Sequence, residues 1–115
     1  LKTAQEVNDI KAMATLKGNI GRVYIANSNF SEAYAQFEDA LKLTEKLNNL
    51  PKLLTCYINL GEVNFHLNKF EESINYLTKA LLLNEGKLKD SSSLVIIHRL
   101  MGENYFKQEK YKEAS

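Results

Sequence analysis

Residues 18–21 read GNIG, and residues 58–61 read INLG. In each stretch an asparagine stands two residues before a glycine. The apolar residues around both stretches recur every three or four positions, which is the spacing of an amphipathic helix. Glycine in a helix interior costs roughly 1 kcal/mol relative to alanine. A glycine that returns at the same helical position forty residues later therefore indicates a repeated unit in which close packing favours it.

The repeat extends over the whole chain. At an offset of forty residues the matches include Leu1 with Leu41, Asn19 with Asn59, Gly21 with Gly61, Phe30 with Phe70, and Ala40 with Ala80. A third copy follows at an offset of forty-one, with Gly61 matching Gly102, Phe65 matching Phe106, and Phe70 matching Tyr111. The extra residue falls in the loop-like stretch EGKLKDSSS, residues 85–93. Self-similarity at such a period is typical of repeat architectures built from stacked helical units.

Each unit is predicted to contain two helices joined by a short polar break. The predicted helices span about residues 8–28, 31–48, 50–68, 71–86 and 91–108, with a sixth beginning near 111. Asparagine, serine and aspartate in the breaks can cap the next helix, and Pro51 suits a first helical turn. Short connections make consecutive helices antiparallel neighbours. The fold class is therefore all-α, an α-α superhelix in one segment, 1–115, with units at approximately 8–48, 50–86 and 91–115.

Both ends of the chain fall inside a unit. Leu1 aligns with Leu41, within a second helix, and Ser115 aligns with Tyr34, near the start of one. A finished array of repeats normally ends in polar capping helices. We therefore expect the chain to be a segment of a longer array.

Composition excludes several classes of function. A net charge of +1 provides no basic surface for nucleic acid. A single cysteine leaves no internal disulfide and fits a reducing compartment. No stretch approaches the roughly 18 apolar residues of a membrane span. These features predict a soluble, cytoplasmic protein without nucleic-acid or membrane partners.

The units resemble tetratricopeptide repeats. That motif has an aliphatic residue, a glycine and an aromatic residue in the first helix, then a small, a large apolar and an alanine residue in the second. Unit one carries Ile20, Gly21, Tyr24, Ala33, Phe37 and Ala40; unit two carries Leu60, Gly61, Asn64, Ser73, Leu77 and Ala80; unit three carries Met101, Gly102, Tyr105 and Ala114. The period of forty exceeds the usual period of about 34. Together with Glu45 and Glu85 in place of a final proline, it resembles a long-helix subclass of the family.

Two faces of each first helix are assigned from this resemblance. One is expected to be buried: Leu16, Ile20, Val23; Cys56, Leu60, Val63; Ile97, Met101, Asn104. The other would line a concave groove, with these candidate site residues: Asn19, Arg22, Ile25, Thr55, Asn59, Glu62, Phe65, His66, Arg99, Glu103 and Phe106. The repeated glycines are expected to face the backbone of the second helix at the small residues Ala33, Ser73 and Ala114.

The asparagine before each glycine is the principal binding candidate. An asparagine amide offers an acceptor and two donors, so it can pair with the backbone of an extended peptide. The resemblance implies this role for Asn19 and Asn59, whereas Leu100 stands at that position in unit three. Alternatively, the asparagines cap loops or are simply solvated.

The other groove positions leave further alternatives. Ile25, Phe65 and Phe106 share one helical position, where they either form ligand pockets or pack between units. Arg22 with Glu62 gives a groove of mixed charge, unlike the carboxylate-clamp subclass.

No catalytic site is expected. Cys56, His66 and His98 are the only candidates for a nucleophile and a base, and Cys56 occupies a position that is apolar in the other units. There is no metal-ligand spacing and no glycine-rich phosphate loop, so no cofactor is expected.

The sequence favours a protein- or peptide-binding scaffold that uses the concave groove. A first alternative is a sensor or regulatory domain of a larger signalling or transcription-regulatory protein, with a signalling peptide as ligand. A second is self-association through exposed repeat ends.

Overall fold

The structure is a computed structural model that describes residues 3–114, without the side chain of Ala114. The sequence matches of Leu1 and Lys2 and the alignment of Ser115 lie outside these residues. Five α-helices follow one another: α1 Ala4–Ala26, α2 Phe30–Thr44, α3 Leu50–His66, α4 Phe70–Leu83 and α5 Ser91–Ala114. Helices α1 and α2 form one hairpin, α3 and α4 form a second, and α5 packs on α4. No strand occurs between residues 3 and 114, and the all-α prediction is confirmed.

The starts of α3 and α5 follow the predicted capping chemistry, whereas Asn29 before α2 makes no side-chain cap. The Asn49 side-chain oxygen accepts a hydrogen bond from the Lys52 backbone N–H at 3.1 Å, and Pro51 stands in the first turn of α3. The matching residue before α5 is Asp90, whose carboxylate accepts from the Ser93 N–H at 3.2 Å. Each cap satisfies a backbone donor that the first helical turn leaves unpaired.

The turns inside the two hairpins repeat as well. Ser28 and Asn68 have φ values of 62° and 63° and end the first helix of each hairpin. Asparagine tolerates this left-handed conformation better than most residues. At the third position, offset by forty-one, stands Glu109, a good helix former. Helix α5 accordingly runs without a break to Ala114, so the predicted separate helix near residue 111 is wrong.

The extra residue of the third unit is accommodated in a π-helical turn. Residues Asn84–Leu88 continue α4 with this wider winding, and Lys89 then adopts a left-handed conformation with φ of 50°. A π-turn closes its hydrogen bond one residue later than an α-turn, so it can absorb a single insertion. The Asn84 amide donates to the Asp90 carbonyl at 3.0 Å and accepts from the Asp90 N–H at 2.8 Å, which connects the turn to the start of α5.

The core consists of two clusters, one at each junction between units. The first core cluster joins the two hairpins and contains Ala33, Phe37, Leu60 and Val63. The second core cluster joins the second hairpin to α5 and contains Leu54, Leu77, Ala80, Ile97 and Leu100. Stacking of neighbouring units buries these residues, as expected for a repeat architecture.

The predicted buried face is confirmed in α3, where Cys56, Leu60 and Val63 are all buried. In α1 the prediction is wrong, because Leu16 is 55% exposed and Val23 is 59% exposed. The reason is that the first hairpin covers the face of α3 that carries Cys56, Leu60 and Val63. No other helix in residues 3–114 covers the corresponding face of α1.

The repeated glycines have a packing reason in the two hairpins. A β-carbon on Gly61 would lie 2.7 Å from Leu77 Cγ, and one on Gly21 would lie 2.5 Å from Phe37 Cε1. The space is therefore filled chiefly by the large apolar side chain of the second helix, and only secondarily by its backbone, which corrects the sequence expectation. A β-carbon on Gly102 would meet nothing within 4 Å in the described part of the chain, and the side chain of Ala114 lies outside that part.

Candidate functional site

A cavity of about 330 Å³ lies between the first helices of the two hairpins, α1 and α3. Its walls come from these helices, and α2 forms its floor through Phe37, Ala40 and Thr44. The volume falls at the lower end of the range of about 300–1,000 Å³ that is usual for ligand pockets. We call this space the groove cavity.

Both asparagines of the repeat line the groove cavity. Asn19 lies on α1 and is exposed, while Asn59 lies on α3 and is half-buried. Each stands well inside its helix, away from the breaks. Asn59 Oδ1 accepts a hydrogen bond from Arg22 Nη1 at 3.4 Å. The structure thus brings the two predicted peptide-binding asparagines to one site, with Arg22 and Thr55 beside them.

An ion pair bridges the two walls beside the cavity. Arg22 Nη1 of α1 lies 2.6 Å from Glu62 Oε1 of α3, and Glu62 Oε2 lies 3.9 Å from His66 Nε2. Exposed pairs of this kind contribute little to stability, roughly 0–1 kcal/mol. Their geometric effect is to hold the Arg22 guanidinium against Asn59.

Lysine 52 and threonine 15 connect the walls at another point. The Lys52 ammonium group on α3 donates to the Thr15 hydroxyl on α1, and both residues line the groove cavity. Thr55 instead donates to the Pro51 carbonyl of its own helix at 3.1 Å. Lys52 was absent from the candidates predicted from sequence, although it stands one helical turn before Thr55 on the same face.

His66 lies in an aromatic cluster near the end of α3. Its ring stacks on Phe30 at 4.5 Å with an interplanar angle of 7°, and Phe65 meets it edge-on at 5.3 Å. Burial lowers the pKa of His66 because the imidazolium loses hydration, an effect that the Glu62 carboxylate partly opposes. The ring of His66 thus joins α2 to α3.

The three apolar residues that share one helical position have different environments. Phe65 is buried, and Lys107 lies over its ring at 4.7 Å. Ile25 is half-buried and packs against the first core cluster. Phe106 is 65% exposed on α5. These three residues therefore do not form one continuous apolar strip.

The candidates on α5 lie outside the groove cavity. Arg99 Nη1 pairs with Glu103 Oε1 at 2.6 Å within the same helix. Leu100, which stands where the earlier units have asparagine, is 2% exposed and belongs to the second core cluster. The cavity is therefore lined by the first two units only.

Cys56 is a buried thiol. Its Sγ lies 3.5 Å from Thr44 Oγ1, and burial raises the pKa of the thiol by disfavouring the thiolate. Between residues 3 and 114 no group of three or more His, Cys, Asp or Glu side chains could hold a metal ion. Over the same residues, every helix is too short or too polar to cross a bilayer.

Comparison with known proteins points to one family. The family model for the tetratricopeptide repeat matches residues 12–85. The chain is 30% identical over 74 residues to the Tonsoku-like protein of Drosophila melanogaster, which is 64% of the chain and 5% of that protein. It is 34% identical over 83 residues to Superkiller protein 3 of Schizosaccharomyces pombe, covering 66% of the chain and 6% of that protein.

A third relative and one solved structure extend the comparison. The DnaJ homolog subfamily C member 7 homolog of Dictyostelium discoideum is 32% identical over 96 residues, which is 82% of the chain and 16% of that protein. The crystal structure of the TPR domain of Arabidopsis FLU superposes with a TM-score of 0.68 at 20% identity, covering 92% of this chain and 99% of that one. The chain thus spans only a small fraction of the length of these three relatives, whereas it matches nearly the whole of the FLU TPR domain.

Proposed function

The chain belongs to the tetratricopeptide repeat family, whose members are typically non-catalytic scaffolds for protein interaction. From this premise we propose that it binds an extended peptide in the groove cavity between α1 and α3. The observation that carries this proposal is that Asn19 and Asn59 line one cavity. The same groove would serve a scaffold or the sensor domain of a larger signalling protein. In either case we expect no catalysis.

The chemistry of the cavity suits a peptide backbone. Each asparagine amide can donate to a carbonyl and accept from an N–H, so two of them can hold an extended peptide backbone at two points whatever the ligand side chains are. Arg22 lies against Asn59 and Glu62, which orients it before binding. Groups that are already oriented lose less conformational entropy when a ligand arrives.

We expect the replacements Asn19→Ala and Asn59→Ala to weaken peptide binding without unfolding the protein. Each lost hydrogen bond should contribute about 0.5–1.5 kcal/mol, or roughly a two- to tenfold rise in Kd. The ligands would be peptides of about eight residues selected by display on the wild-type protein, with affinities measured by calorimetry. Asn75→Ala, an exposed asparagine on α4, is the matched control. Unchanged affinity in the Asn19/Asn59 double variant would contradict the proposal.

Self-association is a second candidate, because α1 presents an uncovered apolar stripe. Met13 is 48% exposed, and Leu16 and Val23 are more than half exposed. The equivalents of Leu16 and Val23 on α3, Cys56 and Val63, are buried beneath the first hairpin. A helix from a second copy of the chain could cover the stripe as α2 covers α3.

Self-association predicts a concentration-dependent dimer in sedimentation velocity. The double variant Leu16→Glu/Val23→Glu should be monomeric at every concentration, since two carboxylates on the apolar stripe of α1 would have to be buried for docking. Ala35→Glu, at an exposed position on α2, should leave the dimer intact. A wild-type protein that stays monomeric up to millimolar concentration would exclude this candidate.

A further inference from the structure

The groove cavity has a counterpart at the next junction, and that counterpart is filled. Six residues of the cavity lining correspond through the repeat to six residues of the second core cluster and its immediate neighbours. The pairs are Ala14 and Leu54, Gly18 and Ile58, Phe37 and Leu77, Ala40 and Ala80, Cys56 and Ile97, and Asn59 and Leu100. The two junctions thus have the same framework but different contents.

Three of these exchanges empty the first junction. Leu54 is 4% exposed, Leu100 is 2% exposed, and Ile58 is partly buried and packs against the second core cluster. At the first junction, alanine (Ala14) stands in place of Leu54 and glycine (Gly18) in place of Ile58, so two branched side chains are replaced by a methyl group and a hydrogen atom. The polar Asn59 stands in place of Leu100.

Helix packing gives no reason for the absence of a side chain at Gly18. A β-carbon built on Gly21 or Gly61 would collide with a neighbouring side chain, but one on Gly18 would meet nothing within 4 Å. Glycine in a helix interior costs roughly 1 kcal/mol relative to alanine. At Gly18 no close contact offsets this cost, and the consequence of the glycine is open space in the wall of the groove cavity.

We propose that the groove cavity is a specificity pocket for one bulky aliphatic side chain, leucine or isoleucine, of the bound peptide. This inference rests on the proposed peptide-binding function and deepens it. The ligand side chain would take the place that Leu54 and Ile58 occupy at the second junction. It would contact the apolar floor formed by Phe37 and Ala40 and the wall residue Cys56.

The arrangement of polar groups is consistent with this pose. Asn19 and Asn59 line the same cavity as the apolar floor, so a peptide held by its backbone at the asparagines can direct one side chain inward. An aliphatic residue fits better than a charged one, because the floor residues Phe37 and Ala40 and the wall residue Cys56 are buried and apolar. The one polar floor residue, Thr44, is buried and uncharged, so a charge placed there would lose its hydration without gaining an opposite charge. The two asparagines would then provide affinity for any peptide, and the pocket would provide sequence preference.

The first test compares peptides that differ at one position. In the peptide selected on the wild-type protein, the residue opposite the cavity is changed among leucine, alanine and lysine. Burial of the three additional carbons of leucine should give it roughly 10- to 50-fold tighter binding than alanine, and lysine should bind no better than alanine. Equal affinity for the leucine and alanine peptides would overturn the inference.

The second test fills the pocket with the residues of the neighbouring repeat. The double variant Ala14→Leu/Gly18→Ile gives α1 the side chains that α3 carries at the same positions. The variant should keep its helical circular dichroism but lose the preference for leucine. It should bind the leucine peptide at least tenfold more weakly than the wild type does, because the leucine side chain can no longer be buried. Ala35→Leu, on the exposed surface of α2, should keep the full preference. A double variant that still prefers leucine would refute the pocket.

A third measurement does not depend on the folding of any variant. N-acetyl-leucine methylamide, titrated into the wild-type protein at millimolar concentration, should shift the NMR amide signals of Gly18 and Ala40, whereas N-acetyl-alanine methylamide should not. Shifts spread over the surface, or equal for both compounds, would count against the pocket. Failure of every peptide to bind the wild type would refute the proposed function itself, whereas asparagine-dependent binding without leucine preference would refute only the pocket.

Discussion

Replacement of Phe37 by alanine is expected to lower the free energy of unfolding by about 3–5 kcal/mol, the usual loss for a buried aromatic residue. Phe37 is 1% exposed and belongs to the first core cluster, with its ring edge against Gly21 of α1. The same ring faces the groove cavity. Loss of the ring would therefore weaken contacts among α1, α2 and α3 together. The expected loss is a large part of the roughly 5–15 kcal/mol by which a typical domain is stable.

The measurement is urea unfolding followed by circular dichroism at 222 nm. Phe106→Ala is the matched control, because Phe106 is 65% exposed and its truncation should change stability by no more than about 0.5 kcal/mol. A loss of less than about 1 kcal/mol in Phe37→Ala, or equal losses in the two variants, would show that the first junction is not packed as the structure describes.

The second large effect is expected at Gly61. The β-carbon of a leucine there would lie 2.7 Å from Leu77 Cγ, and Leu77 is fully buried, so Gly61→Leu should destabilise the protein by about 1–3 kcal/mol. The variant would also push α4 away from the Gly61 carbonyl, which accepts a hydrogen bond from the Ser73 hydroxyl at 2.6 Å.

Gly102 provides an internal control at the equivalent position of α5. A β-carbon there would meet nothing within 4 Å in the described part of the chain. Gly102→Leu should therefore leave stability unchanged or raise it by up to about 1 kcal/mol, because leucine is the better helix former. When the unfolding curves are compared, only Gly61→Leu is expected to lower the free energy of unfolding. Similar destabilisation of both would mean that the glycine is needed for a reason other than the contact with Leu77.

Part of the candidate site could be predicted from sequence, and part could not. Asn19 and Asn59 were found because they recur at one helical position. Ala14, Gly18 and Lys52 were missed, although all three line the same cavity. The small residues Ala14 and Gly18 indicate a pocket only when they are compared with the larger residues at the same positions of the next unit, Leu54 and Ile58. The candidates Arg99, Glu103 and Phe106 were assigned by repeat symmetry, but α5 holds them outside the cavity.

The features that the sequence determined by itself are local ones. Helical periodicity, the caps at Asn49 and Asp90, and the turns at Ser28 and Asn68 involve residues within about one helical turn of each other. The absence of a break at Glu109 is local too, yet it was overlooked because the repeat suggested one. For these elements, the period of forty was enough to predict hairpins and their order.

Burial and the cavity were decided only by the tertiary structure. Leu16 and Cys56 share a position in the repeat, but one is more than half exposed and the other is buried. Ala14 and its counterpart Leu54 are both buried, but Ala14 lines a cavity while Leu54 lies in a packed core. The physical reason is that a local pattern determines which face of a helix is apolar, whereas burial and hollows depend on the side chains of whichever helix lies against that face.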